Sequence, residues 1–115
     1  MKESEIQKQC LTYLVANGFF AWKNAIRGMK VGGGTAKNPA AGSPDIMAIK
    51  EGLFFAIEVK TATGKVSAHQ YAWLQKAHHH GAISMVVRSL DDLITYLDKI
   101  PCSDKLSQFP FALRQ

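Results

Sequence analysis

The stretch Asp45-Ile46-Met47-Ala48-Ile49-Lys50-Glu51-Gly52-Leu53-Phe54-Phe55-Ala56-Ile57-Glu58-Val59-Lys60 decides the fold. Two apolar runs flank Glu51-Gly52, and strand-prone sequence on both sides of a two-residue turn reads as a β-hairpin. A turn at Glu51-Gly52 pairs Lys50 with Leu53 and Ile46 with Ile57. One step further it sets Asp45 against Glu58. Directly opposed residues share a face with Cβ atoms about 4.5 to 5.5 Å apart, where like charges repel. Something must compensate, and strand alternation puts Lys60 on the face of Glu58. Glu58 and Lys60 also follow the apolar residues Leu53 to Ile57, and a buried strand does not acquire charges without partners for them. Asp45 and Glu58 offer the carboxylate oxygens that hard cations such as Mg²⁺ bind. Lys60 suits the positioning of an attacking water or the balancing of charge on a phosphoryl transition state. The plainer alternative is a solvated ion pair at a strand end, with Asp45 merely opening its strand.

Upstream, Ser4-x-x-Gln7 has the form of a capping box, and Ile6, Cys10, Tyr13 and Leu14 recur at helical spacing until Asn17-Gly18. Phe19 to Ile26 predicts a strand. Arg27 to Ser43 is rich in glycine and predicts a long basic loop. Downstream, Ser67-x-x-Gln70 caps a helix through Tyr71, Leu74 and Ala77 that stops at Gly81, and Ala82 to Val87 predicts a buried strand. Ser89 caps a last helix with Leu90, Leu93, Ile94 and Leu97 as its apolar stripe, ending at Pro101. The order is α-β-β-β-α-β-α.

The chain has 115 residues with 14 Lys+Arg against 9 Asp+Glu, a formal charge of +5, and is 47% hydrophobic. That is the profile of one small basic globular domain, expected over residues 1–100, with a tail at 101–115 that either packs, on the domain or at a dimer interface, or frays. No apolar run is long enough to cross a bilayer, and the polar N-terminus lacks a signal-peptide pattern, so a cytoplasmic location is expected. Cys10 and Cys102 form no C-x-x-C pair and read as free thiols.

Gly42-Ser43-Pro44-Asp45, Glu58-Val59-Lys60 and Ser67-x-x-Gln70-x-x-Trp73-Leu74, in this order and spacing, resemble the VRR-NUC branch of the PD-(D/E)XK nuclease superfamily. The resemblance spans Glu5 to about Val87. It implies an α/β, restriction-endonuclease-like αβββαβ core with a mixed central sheet, extended here by a C-terminal helix. Asp45 and Glu58 would bind the metal with the Val59 carbonyl, Lys60 would be catalytic, and Gln70 would support the site. Family members also carry a glutamate on the first helix. Glu5 matches it, ligating directly or through water, with Glu3 as the substitute, although a glutamate in a first helical turn is favourable in any case. A compact chain of this kind resembles the stand-alone phage and bacterial forms, which are similar to Holliday-junction resolvases and act as homodimers.

The expected function is thus a Mg²⁺-dependent endonuclease, with Mn²⁺ able to substitute, cutting branched DNA such as four-way junctions. The alternatives are a non-catalytic basic DNA-binding module and a linear-duplex or end-acting nuclease of the same superfamily. Lys23, Arg27, Lys30 and Lys37, with Ser43, are the expected DNA-contacting residues, since basic side chains in a glycine-rich segment can follow phosphates. Trp22 could stack on a base, although a strand tryptophan more commonly belongs to a core. Gly32-Gly33-Gly34-Thr35 is no P-loop because no G-K-[ST] follows, so no nucleotide cofactor is expected. His78-His79-His80 reads as a solvated helix end and His69 as structural.

Overall fold

The computed structural model describes residues 1–25 and 41–100. Its elements are α1 (Glu3–Ala16), β1 (Phe20–Lys23), β2 (Ile46–Lys50), β3 (Leu53–Val59), α2 (Ala68–His79), β4 (Ile83–Val87) and α3 (Leu90–Asp98). The four strands form one mixed sheet in the order β1-β2-β3-β4, antiparallel except for the parallel β3–β4 pair. This is the expected α/β architecture with a mixed central sheet.

The hairpin register is the one the sequence implies: Ile46 faces Ile57 and Lys50 faces Leu53. Glu51 (φ 53°) and Gly52 (φ 82°) are both left-handed, as the tightest hairpin turns require. Alternation then sorts the side chains. Ile46, Ala48, Phe55, Ile57, Val59, Met85 and Val87 share one face and form the core with Ile6, Cys10 and Leu14 of α1 and Leu93 of α3. On the other face, α2 packs on β3 and β4 alone among the described strands, where the Ser84 hydroxyl donates to the Leu74 carbonyl at 2.8 Å. The result is three layers, with α1 and α3 beneath the sheet and α2 above half of it.

Two helix starts are as the sequence predicts. Ser67 and Gln70 form a complete capping box on α2, and Ser89 accepts from the Asp92 N–H at the start of α3. The α1 start differs. This helix begins at Glu3 after an extended Lys2, with no side-chain cap, so Ser4 lies inside the first turn and forms no capping box with Gln7. The Lys2 carbonyl instead receives the N–H groups of Glu5 and Ile6 at 3.1 Å each, while Glu3 and Glu5 face the positive helix end. The first strand also stops earlier than predicted, at Lys23, because Asn24 turns its side chain to the chain entering β2. Trp22 is half-buried and points away from the core, on the side of the sheet that α2 leaves uncovered. Ile26, Arg27, Lys30, Lys37 and the 101–115 tail lie outside the described residues. No described helix is long and apolar enough to cross a membrane.

Candidate active site

A two-residue turn makes Lys50–Leu53 a hydrogen-bonded pair, so every second pair along the hairpin is one too. Continued past the last ladder pair, Val59 would exchange bonds with residue 44. That residue is Pro44, which has no N–H to offer the Val59 carbonyl. The ladder therefore ends, and side chains take over. The Asp45 carboxylate accepts the Val59 N–H through Oδ2 at 2.8 Å, and the Pro44 carbonyl accepts from Asn24 Nδ2 at 2.9 Å. An extended residue presents N–H and C=O on the same edge, so the Val59 carbonyl is directed to the side of Asp45.

Carried one step past the Ile46–Ile57 pair, the register sets Asp45 against Glu58 in a non-hydrogen-bonded position, the closer of the two kinds. Both are buried, Glu58 completely. The expected compensation is present: Asp45 receives the Val59 N–H, and Lys60 Nζ lies 3.7 Å from Glu58 Oε2. Lys60 is itself anchored through its backbone N–H to the Val87 carbonyl at 3.0 Å.

Asn24 is the residue that sequence reasoning missed. Its backbone N–H donates to the Asp45 carbonyl at 2.8 Å and its side chain donates to Ser43 Oγ at 2.8 Å, so the end of β1 clamps residues 43–45. The signal is a lone asparagine at a strand end, whose partners lie about twenty positions on. Arg88 was likewise not anticipated. Its guanidinium donates to the Thr61 and Gly64 carbonyls at 2.7 Å each and fixes the connection after Lys60.

Gln70 is buried at the N-terminus of α2, on the face of Glu58. Its Oε1 accepts the Ser67 N–H at 2.9 Å, which leaves the amide NH₂ as the group able to act on a neighbour. Gly42 seats residues 43–45 against this helix. Its φ is +80°, and a Cβ there would lie 2.3 Å from the His69 carbonyl oxygen. His69 itself is exposed, as are His78, His79 and His80 at the far end of α2.

Three expected residues stand apart. The hydroxyl of Ser43 is buried and accepts from Asn24 Nδ2, which places Ser43 in the clamp. Lys23 is exposed at the same end of the sheet but projects on the α1 side, lining a cleft with Ser4, Lys8 and Ile46. Glu5 is exposed on α1, and no three or more His, Cys, Asp or Glu among the described residues are gathered closely enough to hold a metal. The remaining donor set, two carboxylates and a backbone carbonyl, is all oxygen. It fits Mg²⁺, which binds through one or two carboxylates and keeps several waters.

No protein-family model and no curated protein matches the sequence. A solved structure described as a VRR_NUC domain matches in three dimensions with a TM-score of 0.64, over 86% of this chain and 97% of that one, at 22% identity. The architecture that holds Asp45, Glu58 and Lys60 together is thus the fold of that VRR_NUC domain.

Proposed function

We propose that this chain is a metal-dependent endodeoxyribonuclease that hydrolyses phosphodiester bonds in branched DNA and works as a homodimer. The observation that carries the reading is the buried Asp45–Glu58 pair at the point where β2 and β3 part, with the Lys60 ammonium beside it. Asp45, Glu58 and the Val59 carbonyl would hold Mg²⁺ or Mn²⁺, and Glu5 would reach it only through water. The bound ion would polarise the scissile phosphate and orient the attacking water.

This chain's own residues do the rest. Water oxygen bonds to phosphorus as the bond to the leaving sugar oxygen breaks, and negative charge builds on the phosphoryl oxygens. Lys60 opposes that charge as a compact ammonium, and Glu58 keeps it in place. The Gln70 amide supports the same face. Asn24 and Ser43 are positioning residues that act through Asp45. A net charge of +5 favours a polyanionic partner, and Arg27, Lys30 and Lys37 would extend the contact along the phosphates. Two-fold pairing suits a four-way junction because it repeats one site on two opposed strands.

The test is nicking of labelled four-way-junction, flap and linear duplex DNA in Mg²⁺, Mn²⁺ or EDTA. Metal-dependent cutting, strongest on the junction, should fall by orders of magnitude in Asp45→Ala and Lys60→Ala. Binding without cutting, equal in wild type and both variants, would leave a non-catalytic DNA-binding module. Preference for duplex ends would make it an end-acting nuclease.

A further inference from the structure

The sheet face that carries the carboxylates does not end with them. Cross-strand register places Trp22 opposite Met47 and Phe20 opposite Ile49, and on the next strand Ala56 and Phe54 complete the same two rows. The row before them is Asn24, Asp45 and Glu58. Trp22 is therefore a diagonal neighbour of Asp45 on one face, and the two rows are separated by two residues along the strand, about 7 Å.

Among the described residues α2 covers only the β3–β4 half of this face. Phe20 is 69% exposed, and its ring lies 5.1 Å from that of Trp22, tilted by 45°. Met47, Ile49 and Phe54 beneath them are only half-buried. An aromatic surface this open would be a liability on a soluble domain unless something uses it.

We infer that Trp22 and Phe20 form a stacking platform for a base that a branch point leaves unstacked next to the scissile phosphate, so that the site favours DNA with unstacked bases, paired or unpaired, beside the cut. The inference rests on the nuclease reading above for the position of that phosphate. The occupant follows from continuity: the platform runs into the carboxylate row, so a strand laid across Asp45 and Glu58 carries its neighbouring base onto Trp22. Every base has a π-face, and stacking on an aromatic side chain needs no sequence match. An intact duplex keeps those faces covered by its own stacking and cannot use the platform.

The test uses fluorescence in the 115-residue chain, which has two tryptophans, Trp22 and Trp73. Trp73→Phe leaves Trp22 as the sole reporter. In EDTA, a dT oligonucleotide should quench Trp22 while an intact duplex bound to the same extent should not. Phe20→Ala, at an exposed position, should weaken dT binding about 5- to 150-fold, the range for loss of one stacked base, with duplex binding within about twofold. Phe20→Ala is measured by anisotropy in the otherwise native chain, so it still decides if Trp73→Phe fails to fold. Unchanged emission with dT bound, or equal losses for dT and duplex, would overturn the inference. So would a Trp22 closed to acrylamide in the free chain, or one whose emission follows self-association, since the face would then be covered by this chain or a second copy. Nicking in Mg²⁺ is read separately: Trp22 quenched by a DNA that is never cut removes the nuclease and keeps the platform.

Discussion

Replacing Gly42 by alanine tests whether the loop entering β2 is held by its contact with α2. Gly42 has φ +80°, and an added Cβ would meet the His69 carbonyl oxygen at 2.3 Å, the His69 carbonyl carbon at 2.6 Å and the Gln70 nitrogen at 3.0 Å. The left-handed backbone alone costs an alanine about 1–2 kcal/mol. All three neighbours are helix backbone, so none can rotate away. Reaching an ordinary C···O separation of about 3.3 Å requires loop and helix to part by about 1 Å, with an overpacking cost of about 1–3 kcal/mol. The expected loss is therefore roughly 2–5 kcal/mol. At about 4 °C per kcal/mol, Tm falls by roughly 8–20 °C in a thermal melt. Asp45 lies three residues on and Gln70 is one of the displaced neighbours, and a misplacement of about 1 Å can cost about 100-fold in rate. Nicking at a temperature where the variant is folded should drop by that order. Gly18→Ala is the control: φ is +85°, but only the flexible end of Lys50 comes within 4.0 Å, so it should lose about 1–2 kcal/mol and keep its nicking rate. A Gly42→Ala protein with unchanged Tm and rate would refute the claim that this contact sets the site.

Two further outcomes follow from buried ionisable groups. Burial, with the Asp92 carboxylate adding to it, pushes the Cys10 thiol up from 9.0 to about 11. The folded state then holds that proton more tightly than the unfolded chain, so the stabilisation is complete below about pH 9 and is lost as pH rises through about 11. Chemical denaturation should show wild type losing about 2–3 kcal/mol more than Cys10→Ala across that window, and parallel curves would contradict the assignment. The second outcome concerns the carboxylates. If Asp45 and Glu58 hold Mg²⁺, the ion at about 100 times its Kd adds about 2.7 kcal/mol to wild-type stability. The rise in Tm with Mg²⁺ should vanish in Asp45→Asn, and an equal rise in that variant would place the ion elsewhere.

The hairpin was legible because its information is local. Glu51-Gly52 fixes the turn, the turn fixes the register, and the register sets Asp45 against Glu58 without reference to the rest of the chain. The capping box at Ser67 and Gln70 is local in the same way. Ser4 and Gln7 show how such a pattern misleads: Glu3 and Glu5 already favour an earlier start, and the Lys2 carbonyl can accept their turn's N–H groups without a side-chain cap. Asn24 was illegible because its value depends on Ser43 and Pro44 arriving beside it, across a long intervening segment. Neither the side of Trp22 nor its exposure was legible, because the sequence offers β1 no turn that would set its register against β2. With register set, strand alternation says which face a residue takes, whereas cover depends on the reach of α2, and that helix stops at β3.

Pro44 and Asp45 act together to open the sheet beside the Asp45–Glu58 pair. A longer β2 would pair residue 44 with Val59 and close both of its backbone groups into the ladder. Proline cannot donate, so that pair cannot form on the Val59 carbonyl side. Asp45 then supplies an acceptor for the Val59 N–H from its side chain. The same carboxylate is thereby fixed in orientation before any ligand arrives. Its burial beside Glu58 would be unfavourable alone, but each carboxylate already has a partner, in the Val59 N–H and in Lys60. The apolar core on the opposite face, from Ile6 to Leu93, carries the packing. Stability and charge are thus assigned to opposite sides of one sheet. This separation explains how a domain of this size accommodates two buried carboxylates: strand alternation puts Ile57 and Val59 into the core and leaves Glu58 between them facing the site.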